Sequence, residues 1–352
     1  MDTTSRVSLV IIATGVVIAG LYWFRDILAP FALAVFLWLV MDGFARALHD
    51  RVSFLPRWVA LPLAIVVVLV GFAAMVFVVV DTAGAVAERA PDYQERISAI
   101  IAGAYDMVGA DQPPPLAEIL RSANPGRFLG QVASALQGVL ADTLFVLIYV
   151  AFLFAAQASF SKRMRGVFTN EANREQARSV AYSIRESIQI YLWVQTVLAL
   201  AAGVLCYFTL LALGLDNPLF WAFVIALMSY VPTIGPLVST VLPTMFALVQ
   251  FPELWRAGAV FAGISVWQFL LGNFAQPRMQ GQSMNLSTLV VLLSLALWGA
   301  IWGLVGMFLS APLTVMAMII LAQFPSTRWL AVLLSAEGKP EAGMRRAARP
   351  SM

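Results

Sequence analysis

The apolar block from Met284 to Phe324 constrains this chain more than any other stretch. At about forty residues it is twice the length of one bilayer crossing, and the charges around it put both of its ends on the same side of a membrane. It is therefore expected to enter the membrane and turn back. Gly299, Gly303 and Gly306 are the residues that allow such a turn, because glycine accepts positive φ and close helix approach. Non-helical backbone at membrane depth survives only where protein buries it or where it lines a watery cavity. A hairpin broken inside the bilayer thus points toward a permeation path.

The rest of the chain has the composition this requires. Of 352 residues, 61% are hydrophobic and 12% charged, and the mean hydropathy is +0.84. No soluble domain carries that balance, so the fold class is an all-α polytopic membrane protein. One cysteine, Cys206, excludes a disulfide within the chain, and one histidine, His49, excludes a His-rich metal site. The formal charge of +3 is too small and too dispersed to suggest nucleic acid. No metal and no cofactor are expected.

Residues 1–80 hold three spans: Val7 to Phe24, Ile27 to Met41 with Pro30 near its start, and Trp58 to about Val80. The loop with Arg46, Arg51 and Arg57 is basic and short, which keeps it in the cytoplasm. From 81 to 138 acidic residues outnumber basic ones and no span fits, so an extracytoplasmic helical segment is expected there. Tyr93, Ile97, Ile100, Ile101, Ala104, Tyr105 and Val108 form one apolar face of a helix. Pro113 to Pro115 break it. Asn124 before Pro125 reads as the start of a second amphipathic helix that runs on into a fourth span, 139–157. Residues 158–190 carry Lys162, Arg163, Arg165, Arg174, Arg178 and Arg185, an excess that marks a cytoplasmic helical segment or a contact with anionic lipid. The tail, 326–352, is basic as well, so both termini are expected in the cytoplasm.

Residues 191–325 form the expected core. Tyr191 to Leu213 is a fifth span. Phe220 to Val231 and Leu237 to Phe251 are both short, and they meet at Pro232-Thr233-Ile234-Gly235-Pro236, where two prolines and a glycine stop a helix. This predicts one hairpin near 218–251 and another near 284–324, with Ala257 to Ala275 crossing between them and about eight spans in all. Paired hairpins entering from opposite faces are a feature of transporters. The alternatives are an ordinary turn at Pro232 to Pro236 and simple helix packing at Gly299 and Gly303. Gln195, Gln268 and Asn273 lie at span depth, where they bond neighbouring helices or contact a solute. Asp142 and Glu186 stand at span edges, where a carboxylate can carry a coupling ion.

Tyr191-Leu-Trp-Val-Gln195, Tyr230 to Pro236, Gln276-Pro277 with Gly281, Leu286 to Ser294, Gly303-Leu-Val-Gly306 and Ala311-Pro312-Leu313 follow one another in an order and spacing that resemble the autoinducer-2 exporter family. The likeness extends over nearly the whole chain, with Thr288 standing where the family pattern usually has proline. It implies an oligomeric permease of the bacterial inner membrane whose partners are a small polar solute, membrane lipid and, in sodium or proton antiporter relatives, an ion. The residues expected on the substrate path or gate are Gln195, Pro232, Gly235, Pro236, Asn273, Pro277, Gly281, Gly303, Gly306 and Pro312.

No P-loop, nucleophile elbow, paired intramembrane carboxylates or selectivity filter is present, so an ATPase, an intramembrane hydrolase and a filtered channel are not expected, and the chain reads as a non-enzyme. A secondary exporter of a small polar solute is the reading that remains, ahead of sodium or proton antiport, a membrane scaffold and an unfiltered channel. Gly235→Leu is expected to lower transport by crowding an opposing wall while expression and assembly survive. The topology has its own check: in a Cys206→Ala background, Asp111→Cys reacts with a membrane-impermeant maleimide in intact cells and Arg174→Cys does not. Equal labelling would reverse the assignment.

Overall fold

Apolar runs interrupted by few charges leave the backbone only one way to satisfy itself in hydrocarbon, and that is helix. The computed structural model describes residues 3–51, 57–108, 125–167, 170–280, 285–336 and 338. The helices are α1 (Thr3–Trp23), α2 (Arg25–Arg51), α3 (Arg57–Glu88), α4 (Ala90–Val108), α5 (Pro125–Val167), α6 (Glu171–Leu213), α7 (Pro218–Met228), α8 (Ile234–Gln250), α9 (Leu254–Leu270), α10 (Gln276–Gln280), α11 (Thr288–Ala322) and α12 (Arg328–Leu334), with a π-helical turn, Leu271–Ala275, between α9 and α10. Among the described residues there is no strand, only an isolated antiparallel bridge between Leu286 and Ser335. Six stretches among the described residues are long and apolar enough to cross a membrane: Arg25–Gly43, Ile65–Glu88, Leu140–Gln157, Arg174–Leu213, Leu254–Met279 and Thr288–Ala322. Phe77, Val70, Leu144 and Phe152 on these helices are exposed, as lipid-facing side chains are. The chain is an all-α polytopic membrane protein.

The structure is more continuous than the charge pattern suggests. The third span runs on to Glu88, eight residues past the expected end. Helices α5 and α6 each have 43 residues, about 64 Å, twice the thickness of a hydrocarbon core. A charge costs nothing in a helix that has left the bilayer, so charged residues mark where a span ends and not where its helix does. Asp111, Pro113 to Pro115, Asn124 and Gly281 lie outside the described residues.

The chain divides into two compact units. One comprises Met1–Leu61, Asp142–Val194 and Met279–Met352, the other Pro62–Ala141 and Gln195–Arg278. In the first, Phe36 and Leu39 of α2, Ile188, Tyr191 and Leu192 of α6, and Leu309, Ala311 and Leu313 of α11 form a buried core. Helix α11 is in fact a hairpin. Gly303 has φ 61° and ψ −139° inside it, and Trp298 Nε1 donates to Thr314 Oγ1 at 3.1 Å. Sixteen residues of straight helix would hold those side chains about 24 Å apart. Of the three glycines expected at the turn, Gly303 alone has positive φ. Gly306 and Gly299 serve close approach: a Cβ on Gly306 would overlap the Trp298 carbonyl oxygen, and one on Gly299 would press on Met307. At the tip, Trp302 Nε1 donates to the Leu21 carbonyl at 3.1 Å.

The two ends of this hairpin meet, since Ser287 N donates to the Leu334 carbonyl at 3.2 Å and Ala336 N to that of Asn285 at 2.9 Å. The block therefore leaves from the side on which it entered. Thr288 begins the helix without the proline of the family pattern because the Ser287 hydroxyl caps it, accepting from Val290 N at 3.3 Å.

In the second unit, Ala202, Cys206 and Leu210 of α6, Ile225 of α7, Ala247 and Phe251 at the end of α8, and Ala257, Val260 and Ile264 of α9 make the core. Helices α7 and α8 form the other hairpin, with 11 and 17 residues, about 16 and 25 Å against a core of about 30 Å. Gln250 latches its base, donating to the Gly214 carbonyl at 2.9 Å and accepting from Asp216 N at 2.8 Å. Helix α4 lies over that base. Arg89 pairs with Asp216, Tyr93 Oη donates to the same carboxylate at 3.0 Å, and Arg96 donates to the Pro252 carbonyl at 2.9 Å. Burial first, then the Asp216 charge, push the Tyr93 phenol up to about 12, so it remains a donor. Part of the apolar face expected on α4 is thus used within the subunit, with Tyr93 edge-on to Phe246 at 5.5 Å, while Ile100 stays exposed.

The turn in α11 predicts the effect of one methyl group. Gly306→Ala should lower stability by about 1–3 kcal/mol through overpacking, seen as a lower melting temperature in detergent. Gly258→Ala should not, because a Cβ there meets open space.

Candidate functional site

Four helices of the second unit each turn an apolar stripe inward, and toward the tip of the α7–α8 hairpin each stripe becomes polar. On α6, Leu210, Cys206, Ala202 and Ala199 lead at helical spacing to Gln195, 7% exposed. On α7, Ile225 is followed one turn later by Ser229. On α8, Ala247 and Pro243 lead to Ser239, and on α9 Ile264 is followed by Gln268. This polar layer adjoins the hairpin tip. Gln195 Nε2 donates to the Ser229 carbonyl, and the next residues pair the same way, Tyr230 Oη donating to Thr196 Oγ1 at 2.8 Å. Gln195 is therefore a helix-to-hairpin clamp. Ser229 Oγ turns back onto the Ile225 carbonyl at 2.8 Å. The hydroxyl of Ser239, a residue 0% exposed, and the amide nitrogen of Gln268 have no hydrogen-bond partner among the described residues.

The tip itself is tightly wound. Thr233 has φ 64° and ψ −52°, and Ile234 N reaches the Pro232 carbonyl at 2.6 Å. That is a γ-turn of the rare, strained hand, on a β-branched residue for which positive φ is a genuine outlier. Gly235 N then donates to the Val231 carbonyl at 3.0 Å, and a Cβ on Gly235 would overlap the Met228 carbonyl oxygen. The wall that Gly235 meets is thus its own hairpin. The expectation that Gly235→Leu would spare the fold and crowd an opposing surface is corrected accordingly.

The structure brings Gln195, Pro232, Gly235 and Pro236 together at this tip. Gly303, Gly306 and Pro312 belong to the α11 hairpin, where Pro312 is buried beside Ser310 and Thr314, and Thr314 Oγ1 donates to the Ser310 carbonyl at 2.7 Å. Asn273 and Pro277 meet at the π-helical turn. Pro277 has no N–H for the Asn273 carbonyl and its ring crowds that carbonyl, so the turn widens and Gln276 N bonds Leu271 instead. Asn273 is exposed and its amide donates to the Phe269 carbonyl at 3.0 Å.

Asp142 is exposed on α5 and Glu186 half-buried on α6, and neither makes an ion pair among the described residues. A carboxylate not singled out from sequence is better placed. Asp42, at the end of the Arg25–Gly43 span, pairs with Arg185 and accepts from Gln189 Nε2 at 3.1 Å, while the Arg185 guanidinium lies over Trp38 at 5.6 Å. Arg185 is thus more than an orientation signal. The clue was available, because Asp42 closes an apolar run. Among the described residues no three His, Cys, Asp or Glu side chains converge on a metal site.

Comparison with known proteins gives the family. The sequence model of the family described as AI-2E family transporter matches residues 10–326. A Haemophilus influenzae protein provisionally named as a transport protein is 28% identical over 340 residues, 94% of this chain and 96% of its own. YhhT of Escherichia coli (strain K12), likewise provisionally named, is 28% identical over 330 residues, 93% of each. TqsA of the same strain, named an AI-2 transport protein, is 25% identical over 324 residues, 91% of this chain and 92% of its own.

Removing the clamp should expose its role. Gln195→Leu leaves the Ser229 carbonyl unpaired in an apolar setting, at a cost of about 1–3 kcal/mol. Hydrogen exchange at Ser229 to Gly235 should accelerate while exchange along α9 is unchanged.

Proposed function

The chain belongs to the AI-2E transporter family, and on that footing we propose that it is a secondary permease of the bacterial cytoplasmic membrane that exports a small polar solute. The observation that carries this reading is the pair of helical hairpins. A scaffold gains nothing from a chain that turns within the bilayer, whereas a transporter uses such turns as moving parts. The tip at Pro232, Gly235 and Pro236, the tip and return arm at Gly303, Gly306 and Pro312, and the widened turn at Asn273 and Pro277 are assigned to the solute path and its gates, together with Gln195 as the clamp. The γ-turn at Thr233 supports the assignment, since strained backbone persists where a mechanism uses it. Because TqsA is named for AI-2, that signalling molecule is the first solute to test.

In this reading residues 158–190 and 326–352 and both termini lie in the cytoplasm, and 81–138 lies outside. The exposed side of α4 is the place for a contact between identical subunits. Sodium or proton antiport is the second reading, favoured by the Asp42–Arg185 pair at the end of the Arg25–Gly43 span, with Asp142 and Glu186 as the other carboxylates that could carry the ion.

Purified protein in proteoliposomes should move AI-2 with a rate that saturates and ignores ATP. A proton or sodium gradient should change the rate severalfold, and Asp42→Asn should abolish that response without abolishing exchange. A flux rising linearly with concentration would identify a channel instead.

A further inference from the structure

We propose that Ser239 and Gln268 form a binding site for an uncharged solute bearing hydroxyl or carbonyl oxygens, located in the polar layer at the tip of the α7–α8 hairpin. The proposal rests on the transport reading above and adds to it the side chains that touch the solute.

A polar group shielded from water costs about 1–3 kcal/mol when it has no partner, so protein interiors pair such groups wherever a partner is within reach. Ser239 has one within reach in principle. A helical hydroxyl ordinarily turns onto the carbonyl one turn back, and its neighbours do so: Thr240 Oγ1 donates to the Pro236 carbonyl at 2.9 Å and Thr244 Oγ1 to the Thr240 carbonyl at 2.7 Å. Ser239 does not, although it is 0% exposed. Four residues on stands Pro243, which has no N–H to offer the Ser239 carbonyl. One residue thus carries a free hydroxyl and a carbonyl without its usual helical donor.

Gln268 supplies the complement. It sits one turn beyond Ile264, which is 0% exposed, on the inward stripe of α9, the helix packed along α8. Its buried amide nitrogen has no acceptor among the described residues. Trp267 beside it is already bonded, to Thr209 Oγ1 at 3.0 Å, so the unpaired group is a feature of position 268 and not of the whole turn.

The chemistry of the ligand follows from this set. Gln268 donates, the Ser239 carbonyl accepts and the Ser239 hydroxyl does either, which suits a hydroxyl group with its own donor and acceptor. The layer's four members, Gln195, Ser229, Ser239 and Gln268, are all neutral. An ion would give up its hydration there for no opposite charge, so the site selects uncharged molecules.

The test uses the full-length Cys206→Ala protein in lipid vesicles, with Ser239→Cys and Gln268→Cys compared against Ala247→Cys and Ile264→Cys on the same stripes. Hydroxyethyl methanethiosulfonate, an uncharged water-soluble reagent, should modify positions 239 and 268 at least about tenfold faster than 247 and 264, a barrier difference of about 1.4 kcal/mol. Added erythritol should slow the first pair alone. Equal inertness of all four, with AI-2 flux intact, overturns the site and leaves the transport reading standing. Fast labelling with erythritol protection but no saturable flux overturns the transport reading and keeps the site.

Melting in detergent covers the case of a cysteine variant that does not fold. Erythritol should raise the melting temperature of the wild type more than that of Ser239→Ala or Gln268→Leu. Equal rises would overturn the proposal.

Discussion

A chain that turns back between apolar helices must satisfy the backbone groups that the turn takes out of helix, and both hairpins follow from that requirement. Each does so by bringing its two arms into contact at the tip. Gly235 lies against the carbonyl of Met228 and Gly306 against that of Trp298, and at either position a single methyl group would part the arms. One residue with positive φ reverses the chain, Thr233 in one hairpin and Gly303 in the other. The bases are closed as well, by the Gln250 amide in the first and by the strand-like pairing of Leu286 with Ser335 in the second. A hairpin pinned at its base and wound tightly at its tip can move only as a rigid pair of arms or at the tip itself.

The polar contacts are distributed accordingly. At the base of the α7–α8 hairpin they are charged: Arg89 and Tyr93 hold Asp216 and Arg96 holds the chain at Pro252, so α4 steadies that base. At the tip they are neutral. Gln195 and Thr196 bond the turn without the desolvation cost of a buried charge, and such bonds between membrane helices are weak enough to be remade. Asp42 and Arg185 are the exception, a charge pair at the end of a span with Gln189 as a third member. Removing one partner of such a pair leaves the other uncompensated, so replacing either side chain would be felt by both helices.

The sequence alone determined the helical class, the membrane location, the reversal of the last apolar block and the break at Pro232 to Pro236. These depend on length, hydropathy and the conformational limits of proline and glycine, which are local properties. The break at Pro277 was legible for the same reason, and so was the family, through the order of its motifs. Only the tertiary structure decided what each polar residue does. Gln195, Gln268 and Asn273 look alike in sequence, yet the first clamps a hairpin, the second has an unpaired amide and the third bonds its own helix. Asp42 showed in sequence only that it closes an apolar run and Ser239 showed nothing, since whether a hydroxyl or a carboxylate finds a partner is settled by residues far along the chain. A hydrogen bond depends on a few tenths of an ångström between two side chains, and that distance is a property of packed helices, not of any one stretch of chain.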